Sequence, residues 1–181
     1  MWIKFKQSLF AGLALLCAKL ISVLPLPILH SLGIVVGWTV YCFDIKFSRR
    51  IRTNLITTGF ASSTKTLKRL IRQNVAETGK GIVETLAIWM KSERAVLGWV
   101  KHCEGWHHIE SALAMKQGVI FLTPHLGCYE IAARFYAIQH PITVLYRPPH
   151  QHWLMPLVEN GRERSQTKLA PTNLSGVRSL L

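Results

Sequence analysis

Two apolar runs near the N-terminus predict a pair of helices. Residues 9–24 contain one charged side chain, Lys19, and residues 28–43 contain none apart from His30, which is counted as neutral. A bilayer crossing takes about 20 apolar residues, so neither run by itself predicts a span with certainty. The pattern favours a short membrane hairpin or an interfacial anchor, and a pair of buried core helices is the alternative.

The next part of the chain, to residue 98, interleaves basic and apolar side chains. Its apolar positions recur near helical spacing, which predicts one or two amphipathic helices with a basic outer face. The basic residues between positions 46 and 80 are Lys46, Arg49, Arg50, Arg52, Lys65, Lys68, Arg69, Arg72 and Lys80, and the one acid is Glu77. Such a face can be a solvated surface, can bind anionic lipid with about 1 kcal/mol per cation, or can dock an acidic carrier protein.

From residue 99 onward the hydrophobic pattern alternates between that of helices and that of strands. It predicts helices over residues 111–117, 131–138 and 151–164, and strands over 119–122 and 142–146. This alternation predicts an α/β fold, a mixed sheet flanked by helices, with the chemistry at the ends of the strands.

Composition narrows the choice of partners. The chain has 181 residues, is 49% hydrophobic and carries a formal net charge of +13, which favours nucleic acid, anionic lipid or an acidic protein. No zinc-finger spacing, aromatic RNA-binding signature or helix-turn-helix is visible, so we expect no nucleic-acid partner. The four cysteines are scattered, and two of them, Cys17 and Cys42, lie in apolar stretches. We therefore expect buried thiols in a reducing compartment, not disulfides.

Candidate chemistry centres on His125 and Glu130, five positions apart, where the predicted strand 119–122 reaches the surface. A carboxylate in the first turn of the next helix can accept a hydrogen bond from the imidazole and favour its protonated form. A histidine held in this way can take a proton from an alcohol, which acyl transfer to a hydroxyl requires. The same spacing can also be a structural hydrogen bond. Pro124 and Gly127 suit a stiff turn with a close backbone approach.

Two other kinds of chemistry are possible near these positions. Cys128, beside a histidine at a helix N-terminus, can be a nucleophile, although its apolar neighbours favour a buried thiol. Cys103 and His107 lie four positions apart among the histidines of residues 102–108. A second cysteine and a third ligand are missing, so we expect no metal site and no cofactor.

The segment over residues 118–131, GVIFLTPHLGCYEI, resembles the catalytic block of the late acyltransferases of lipid A biosynthesis, the lauroyl/myristoyl transferase family. His125 and Glu130 match that family's histidine, four-residue gap and acid. Weaker similarities run along nearly the whole chain, at residues 52–55 (RTNL), 77–81 (ETGKG), 145–149 (LYRPP), 153–154 (WL), 161–164 (GRER) and 174–181 (LSGVRSLL).

The resemblance implies transfer of a fatty acyl chain from an acyl carrier protein thioester to a hydroxyl of a lipid A precursor. It places the enzyme on the cytoplasmic face of the bacterial inner membrane. It implies His125 as the base, Glu130 as the acid that orients it, and backbone N–H groups near Gly127 as oxyanion donors. A guanidinium fork matches phosphate, so three arginines are expected to bind the phosphate of the lipid or of the carrier's prosthetic arm. They are Arg147, Arg162 and Arg164.

Two other functions stay open: a glycerolipid acyltransferase that uses coenzyme A thioesters, and a non-catalytic membrane-associated binder. Members of the family continue through a further strand with an acidic motif and a glycine-rich segment, which this sequence does not contain. We therefore expect a fragment or truncated product with weak or no activity, whose sheet edge lies open. The predicted layout is an apolar anchor (1–44), basic amphipathic helices (45–98) and an α/β catalytic portion (99–181), incomplete at its C-terminal end.

Overall fold

The computed structural model describes the backbone of residues 2–180 and the side chains of residues 10–180, and most of this part of the chain is helical. The helices are α1 (Trp2–Ser22), α2 (Leu26–Phe43), α3 (Ile45–Thr57), α4 (Thr64–Met90), α5 (Glu93–Trp99), α6 (Trp106–Ala114), α7 (Glu130–Gln139), α8 (Met155–Arg162) and α9 (Leu174–Arg178). The strands are β1 (Ile142–Tyr146) and β2 (Thr167–Pro171), and a short 3-10 helix covers His152–Leu154.

Helix α4 is the axis of the hydrophobic core. Its start is fixed by Ser63, whose hydroxyl accepts the backbone N–H of Thr66 at 3.1 Å, and the start of α3 is fixed in the same way by Asp44. Three small apolar clusters follow α4 from one end to the other. They comprise Ile51, Ile71 and Val75; then Leu29, Val83 and Ala87; then Ala18, Trp89 and Leu157. Helices α1, α2, α3 and α8 therefore all pack on α4.

Both N-terminal apolar runs form helices, as the pattern predicts. By length and composition α2 is able to cross a membrane, and its buried residues are only Leu29, Gly33 and Gly37. Cys17 and Cys42 are exposed, so the prediction that these thiols are buried is wrong. A cysteine with apolar neighbours in the sequence is buried only if another element packs on its side of the helix. Cys17 on α1 and Cys42 on α2 lie on sides that remain exposed.

The sheet is smaller than the sequence predicts. Strand β1 forms where it is expected and pairs in parallel with β2, from Ile142 opposite Thr167 to Tyr146 opposite Pro171. Within residues 2–180 these two strands make up the whole sheet, so the mixed sheet is seen only as this parallel pair. The predicted helix 151–164 is divided into the 3-10 turn and α8, which together form the crossover between the strands.

The segment 119–122 departs from the prediction of a buried strand. Ile120 is 90% exposed and Leu122 is 91% exposed, and the segment takes part in no ladder among the described residues. A strand needs a hydrogen-bonded neighbour, and the one partner of β1 in this part of the chain is β2. The helix predicted over 111–117 also starts earlier. It begins at Trp106 and ends at Ala114, before Lys116 takes a left-handed φ of 55°.

Candidate active site

The ends of three helices converge on the carboxylate of Glu130. Glu130 is the first residue of α7, Trp89 lies at the end of α4, and Arg162 is the last residue of α8. The indole Nε1–H of Trp89 donates to Glu130 Oε2 at 3.0 Å. Arg162 Nε donates to Oε1 at 3.1 Å and to Oε2 at 3.2 Å, and its Nη2 also donates to Oε1. Both carboxylate oxygens are thus bound by a guanidinium fork, the strongest arrangement of charged hydrogen bonds.

The position of each charge on its helix stabilises the pair. Glu130 lies at the N-terminus of α7 and Arg162 at the C-terminus of α8, where the helix dipoles favour these signs of charge. The side chains are 8% and 23% exposed, respectively. Burial lowers the pKa of Arg162, but its hydrogen bonds to Glu130 and the charge of that carboxylate outweigh burial and raise the pKa above its ordinary value. The guanidinium therefore stays charged at any physiological pH.

An aromatic frame surrounds the ion pair. The guanidinium carbon of Arg162 lies 5.8 Å from the ring centroid of Trp89 and 5.6 Å from that of Tyr146. Gly161 lies against the Trp89 ring, where a Cβ atom would come within 2.6 Å of the indole Cγ. Arg164 Nη1 donates to the backbone carbonyl of Trp89 at 2.5 Å, and so satisfies an otherwise open carbonyl at the end of α4. Trp89 therefore links α4, α7 and α8.

His125 lies outside this network. It is exposed, and its ring centroid is 4.1 Å from that of Tyr129. The hydrogen bond expected between His125 and Glu130 is not formed, because both oxygens of the carboxylate are turned towards α4 and α8. Burial and the charge of Glu130 raise the pKa of Tyr129, so the phenol beside the histidine stays protonated.

The other predicted site residues differ in what they contact. Arg162 and Arg164 are engaged within the protein, with Glu130 and with the carbonyl of Trp89. Arg147, just after β1, is exposed and makes no hydrogen bond or ion pair with any described residue. Gly127 has a φ of +58°, which favours glycine, although a Cβ atom there would meet nothing within 4 Å.

Two residues of the site are not predicted by the sequence pattern. Trp89 lies in the apolar run Ile88–Trp89–Met90, where no pattern marks an indole as a hydrogen-bond donor. Arg134 is buried in α7, and its Nη1 donates to Ser165 Oγ at 2.9 Å. Burial, and then the charge of Arg164, lower the pKa of Arg134. A signal for Arg134 was available, because it is the one charge in the apolar helix 131–138.

The thiol of Cys128 is half-buried against α4, with Sγ 4.0 Å from Thr85 Oγ1. Burial, and then the charge of Glu84, raise the pKa of Cys128 to about 12. A nucleophilic cysteine needs a lowered pKa, so this position favours a packed thiol over a catalytic one.

The reactivity of the thiols gives the first prediction. With a pKa of about 12, roughly one Cys128 in ten thousand is a thiolate near pH 8, and the thiolate is the form that is alkylated. We expect iodoacetamide to modify exposed Cys103 well before Cys128, as followed by peptide mass spectrometry. Alkylation of Cys128 as fast as Cys103 would show that the cysteine is activated after all.

In the described part of the chain, no group of three or more histidine, cysteine, aspartate or glutamate side chains is placed to hold a metal ion. His107 and His108 have ring centroids 3.9 Å apart, but both are exposed at the start of α6. The chemistry available at the site is therefore that of an exposed imidazole next to a buried carboxylate–guanidinium pair.

The amino-acid sequence matches a known protein family over nearly its whole length. Residues 4–181 match the family described as bacterial lipid A biosynthesis acyltransferase. The chain is 26% identical over 150 residues to the lipid A biosynthesis lauroyltransferase of Escherichia coli strain K12, covering 83% of this chain and 49% of that relative. It is 28% identical over 156 residues to the lipid A biosynthesis palmitoleoyltransferase of the same strain, covering 85% and 50%.

A third relative is the lipid A biosynthesis acyltransferase of Haemophilus influenzae, 29% identical over 144 residues, covering 78% of this chain and 45% of the relative. The chain thus spans about half the length of the curated relatives it matches. No solved structure matches it significantly. The family match includes the segment around His125 and Glu130 and the helix that contributes Arg162. The chain therefore belongs to the bacterial lipid A biosynthesis acyltransferase family.

Proposed function

We propose that this protein transfers a fatty acyl chain from an acyl carrier protein thioester to a hydroxyl of a lipid A precursor. One observation supports the proposal above all. The exposed His125 lies five positions before Glu130, which forms a buried ion pair with Arg162. These residues lie in a chain whose residues 4–181 match the lipid A acyltransferase family. The turn at Gly127 joins the two features.

The proposed reaction needs one base and one oxyanion site. The imidazole of His125 takes the proton of the acceptor hydroxyl while the oxygen attacks the thioester carbonyl carbon. Backbone N–H groups beside Gly127 are the proposed donors to the oxyanion of the tetrahedral intermediate. The C–S bond then breaks, and the carrier's thiolate takes the proton from the imidazolium. The products are an ester and the free carrier thiol, without an acyl-enzyme.

The ion pair gives Glu130 a role different from a direct hydrogen bond. We propose that the pair with Arg162 fixes the first turn of α7, and thereby the turn at Gly127 that presents His125 to the substrate. Glu130 then positions the histidine through the backbone. Arg147 is the proposed phosphate ligand, because its guanidinium is exposed and no described residue pairs with it. Arg164 supports the site through the carbonyl of Trp89.

The proposed location is the cytoplasmic face of the bacterial inner membrane. The apolar helix α2 leads directly into α3, whose exposed side chains include Lys46, Arg49 and Arg50. Cations that flank an apolar segment favour the cytoplasmic side. A membrane, the carrier protein and the lipid A precursor are thus the proposed partners.

The test is acyl transfer by membranes that contain this chain, with acyl carrier protein thioester and a tetra-acylated lipid A precursor. We expect slow turnover that falls about a hundredfold in His125→Ala, because general base catalysis contributes at least that factor. His107→Ala, which changes an exposed histidine on α6, is the matched control and should keep the rate.

Turnover that survives His125→Ala would contradict the proposed base. Turnover only with a coenzyme A thioester and a glycerolipid acceptor would instead support the alternative acyltransferase. Specific binding of the precursor, without transfer and without any effect of His125→Ala, would support a non-catalytic binder.

A further inference from the structure

Helix α2 packs against α4 through a seam in which the two backbones touch. A Cβ atom on Gly37 would lie 2.3 Å from the carbonyl oxygen of Val75, and one on Gly79 would lie 2.0 Å from that of Gly33. Towards one end of the seam Leu29 packs with Val83 and Ala87. Towards the other, Trp38 and Tyr41 pack beside Ile71 and Val75. The helices are therefore antiparallel neighbours along nearly the full length of α2.

This seam makes a bilayer crossing by α2 costly. Helix α4 carries charged residues along most of its length: Lys65, Lys68, Arg69, Arg72, Glu77, Lys80 and Glu84. A charged side chain at the bilayer centre costs at least about 2.5 kcal/mol. If α2 crossed the membrane with the seam intact, the middle of α4 would be drawn into the hydrocarbon beside it. His30 and Glu84, whose Nε2 and Oε1 atoms are 2.6 Å apart, add a polar link between the same two helices.

Helices α1 and α2 leave a set of apolar side chains exposed to solvent. We call this the outer apolar surface, and each of its members is more than half exposed: Phe10, Leu13, Leu16, Leu20, Ile28 and Val35. Along each helix, exposed apolar side chains of this kind mark a protein or membrane interaction site. The hydroxyls on the exposed face of α2 are satisfied internally, since Ser31 donates to the Pro27 carbonyl at 3.0 Å and Thr39 to that of Val35 at 2.9 Å. Such hydroxyls can enter an apolar medium without losing a hydrogen bond.

The outer apolar surface ends in a cluster of exposed cations. We call this the basic cluster, which comprises Lys46, Arg49, Arg50 and Arg52 on α3 and Lys65, Lys68, Arg69 and Arg72 on α4. No acidic residue occurs between residues 46 and 72. The α3 cations directly follow the C-terminal end of α2, and the packing of Ile51 on Ile71 and Val75 brings the first half of α4 to the same end. An apolar surface bordered by cations that form no ion pair with any described residue is complementary to a bilayer with anionic headgroups.

We propose that α1 and α2 lie in the plane of the membrane interface and that α2 does not cross the bilayer. The glycine seam holds α2 on α4, and the basic cluster binds anionic headgroups. This placement rests on the proposed function in one respect: an enzyme with a lipid acceptor has to bind that acceptor at a membrane. Because Ala18 of α1 packs on Trp89, this placement also brings the bilayer within one helix layer of Glu130.

The test measures the depth of three positions on one face of α2. Spin labels are placed one at a time at Ile28→Cys, Val35→Cys and native Cys42, with the other cysteines replaced by serine in the full chain. Their spacing of seven residues is about 10 Å along the helix axis for each step. The chain is bound to vesicles of phosphatidylethanolamine with phosphatidylglycerol. Depth is read from relaxation by oxygen and by a water-soluble nickel complex. A label on exposed Cys103 serves as the water-accessible control.

An in-plane helix should give three shallow labels, each about 5 to 10 Å below the headgroups and within a few ångströms of one another. Binding should weaken on vesicles of phosphatidylcholine alone, since the basic cluster then lacks its anions. A depth profile in which the label at residue 35 lies about 10 Å deeper than the other two would overturn the proposal in favour of a crossing. Labels that all remain accessible to nickel would also overturn it, and would assign the surface to a protein partner or a second copy of the chain.

These depths do not depend on turnover. Shallow labels in a chain that transfers no acyl group would therefore contradict the proposed function and leave the placement standing. A helix α2 that crosses the bilayer in an active chain would contradict the proposed placement and leave the proposed function standing.

Discussion

Replacing Arg162 by methionine is expected to destabilise the fold by about 3 to 5 kcal/mol, because it leaves the carboxylate of Glu130 buried without its partner. The side chain of Glu130 is only 8% exposed, and its remaining hydrogen bond comes from the neutral indole of Trp89. The measurement is chemical unfolding in mild detergent, followed by far-ultraviolet circular dichroism. Arg147→Met is the matched control. It removes an exposed arginine that no described residue pairs with, and it should change the free energy of unfolding by less than about 0.5 kcal/mol.

A double substitution separates the ion pair from the packing around it. Glu130→Gln combined with Arg162→Met removes both charges while an amide oxygen can still accept the Trp89 N–H. We expect the double variant to recover at least half of the loss seen for Arg162→Met, since a buried pair replaced as a whole costs little. Strictly additive losses would mean that the two residues do not interact, contrary to the geometry.

Replacing Gly79 by alanine is expected to cost about 3 kcal/mol, although alanine is the better helix former. The new methyl group would lie 2.0 Å from the carbonyl oxygen of Gly33 and 2.7 Å from the backbone nitrogen of Gly37, so α2 must move away from α4. Thermal unfolding followed by circular dichroism measures the effect.

Gly81→Ala, two positions further along α4, is the control for Gly79→Ala. A Cβ atom there meets nothing within 4 Å, and the substitution should stabilise the helix by about 0.5 to 1 kcal/mol. If both alanine variants were stabilised, the seam between α2 and α4 would not be the close backbone contact described above.

The elements that the sequence predicts correctly are those determined by local pattern. Helix α7 and strand β1 follow from the spacing of their own apolar residues, and both form where expected. The pattern does not predict strand β2, because Lys168 and Pro171 interrupt its apolar residues and proline is uncommon in strands. The strand is stabilised by its pairing with β1. The prediction of a strand over the apolar segment 119–122 fails for the opposite reason. The composition of the segment suits a strand, but no described strand lies beside it to form hydrogen bonds with it.

The same limit applies to the candidate site. Glu130 stands out because of its spacing from His125, and that spacing suggested the wrong hydrogen-bond partner. The carboxylate is bound by Trp89 and Arg162, which lie 41 and 32 positions away in the chain. Contacts of this kind depend on how α4 and α8 pack, which a single sequence without its fold does not specify.

The glycine seam also constrains the order of events as the protein is made. Gly37 leaves the ribosome some forty residues before Gly79, which is about 2 to 8 s at ordinary rates of synthesis. During that interval α2 is an apolar helix that does not yet have α4 to pack on. By length and composition it is able to cross a membrane. Insertion across the bilayer and docking on α4 are then competing fates of the same helix. Under the in-plane placement proposed above, α2 must stay uninserted until Gly79 has been made, so slower translation through α3 and the first half of α4 is expected to lower the share of chains that reach that placement.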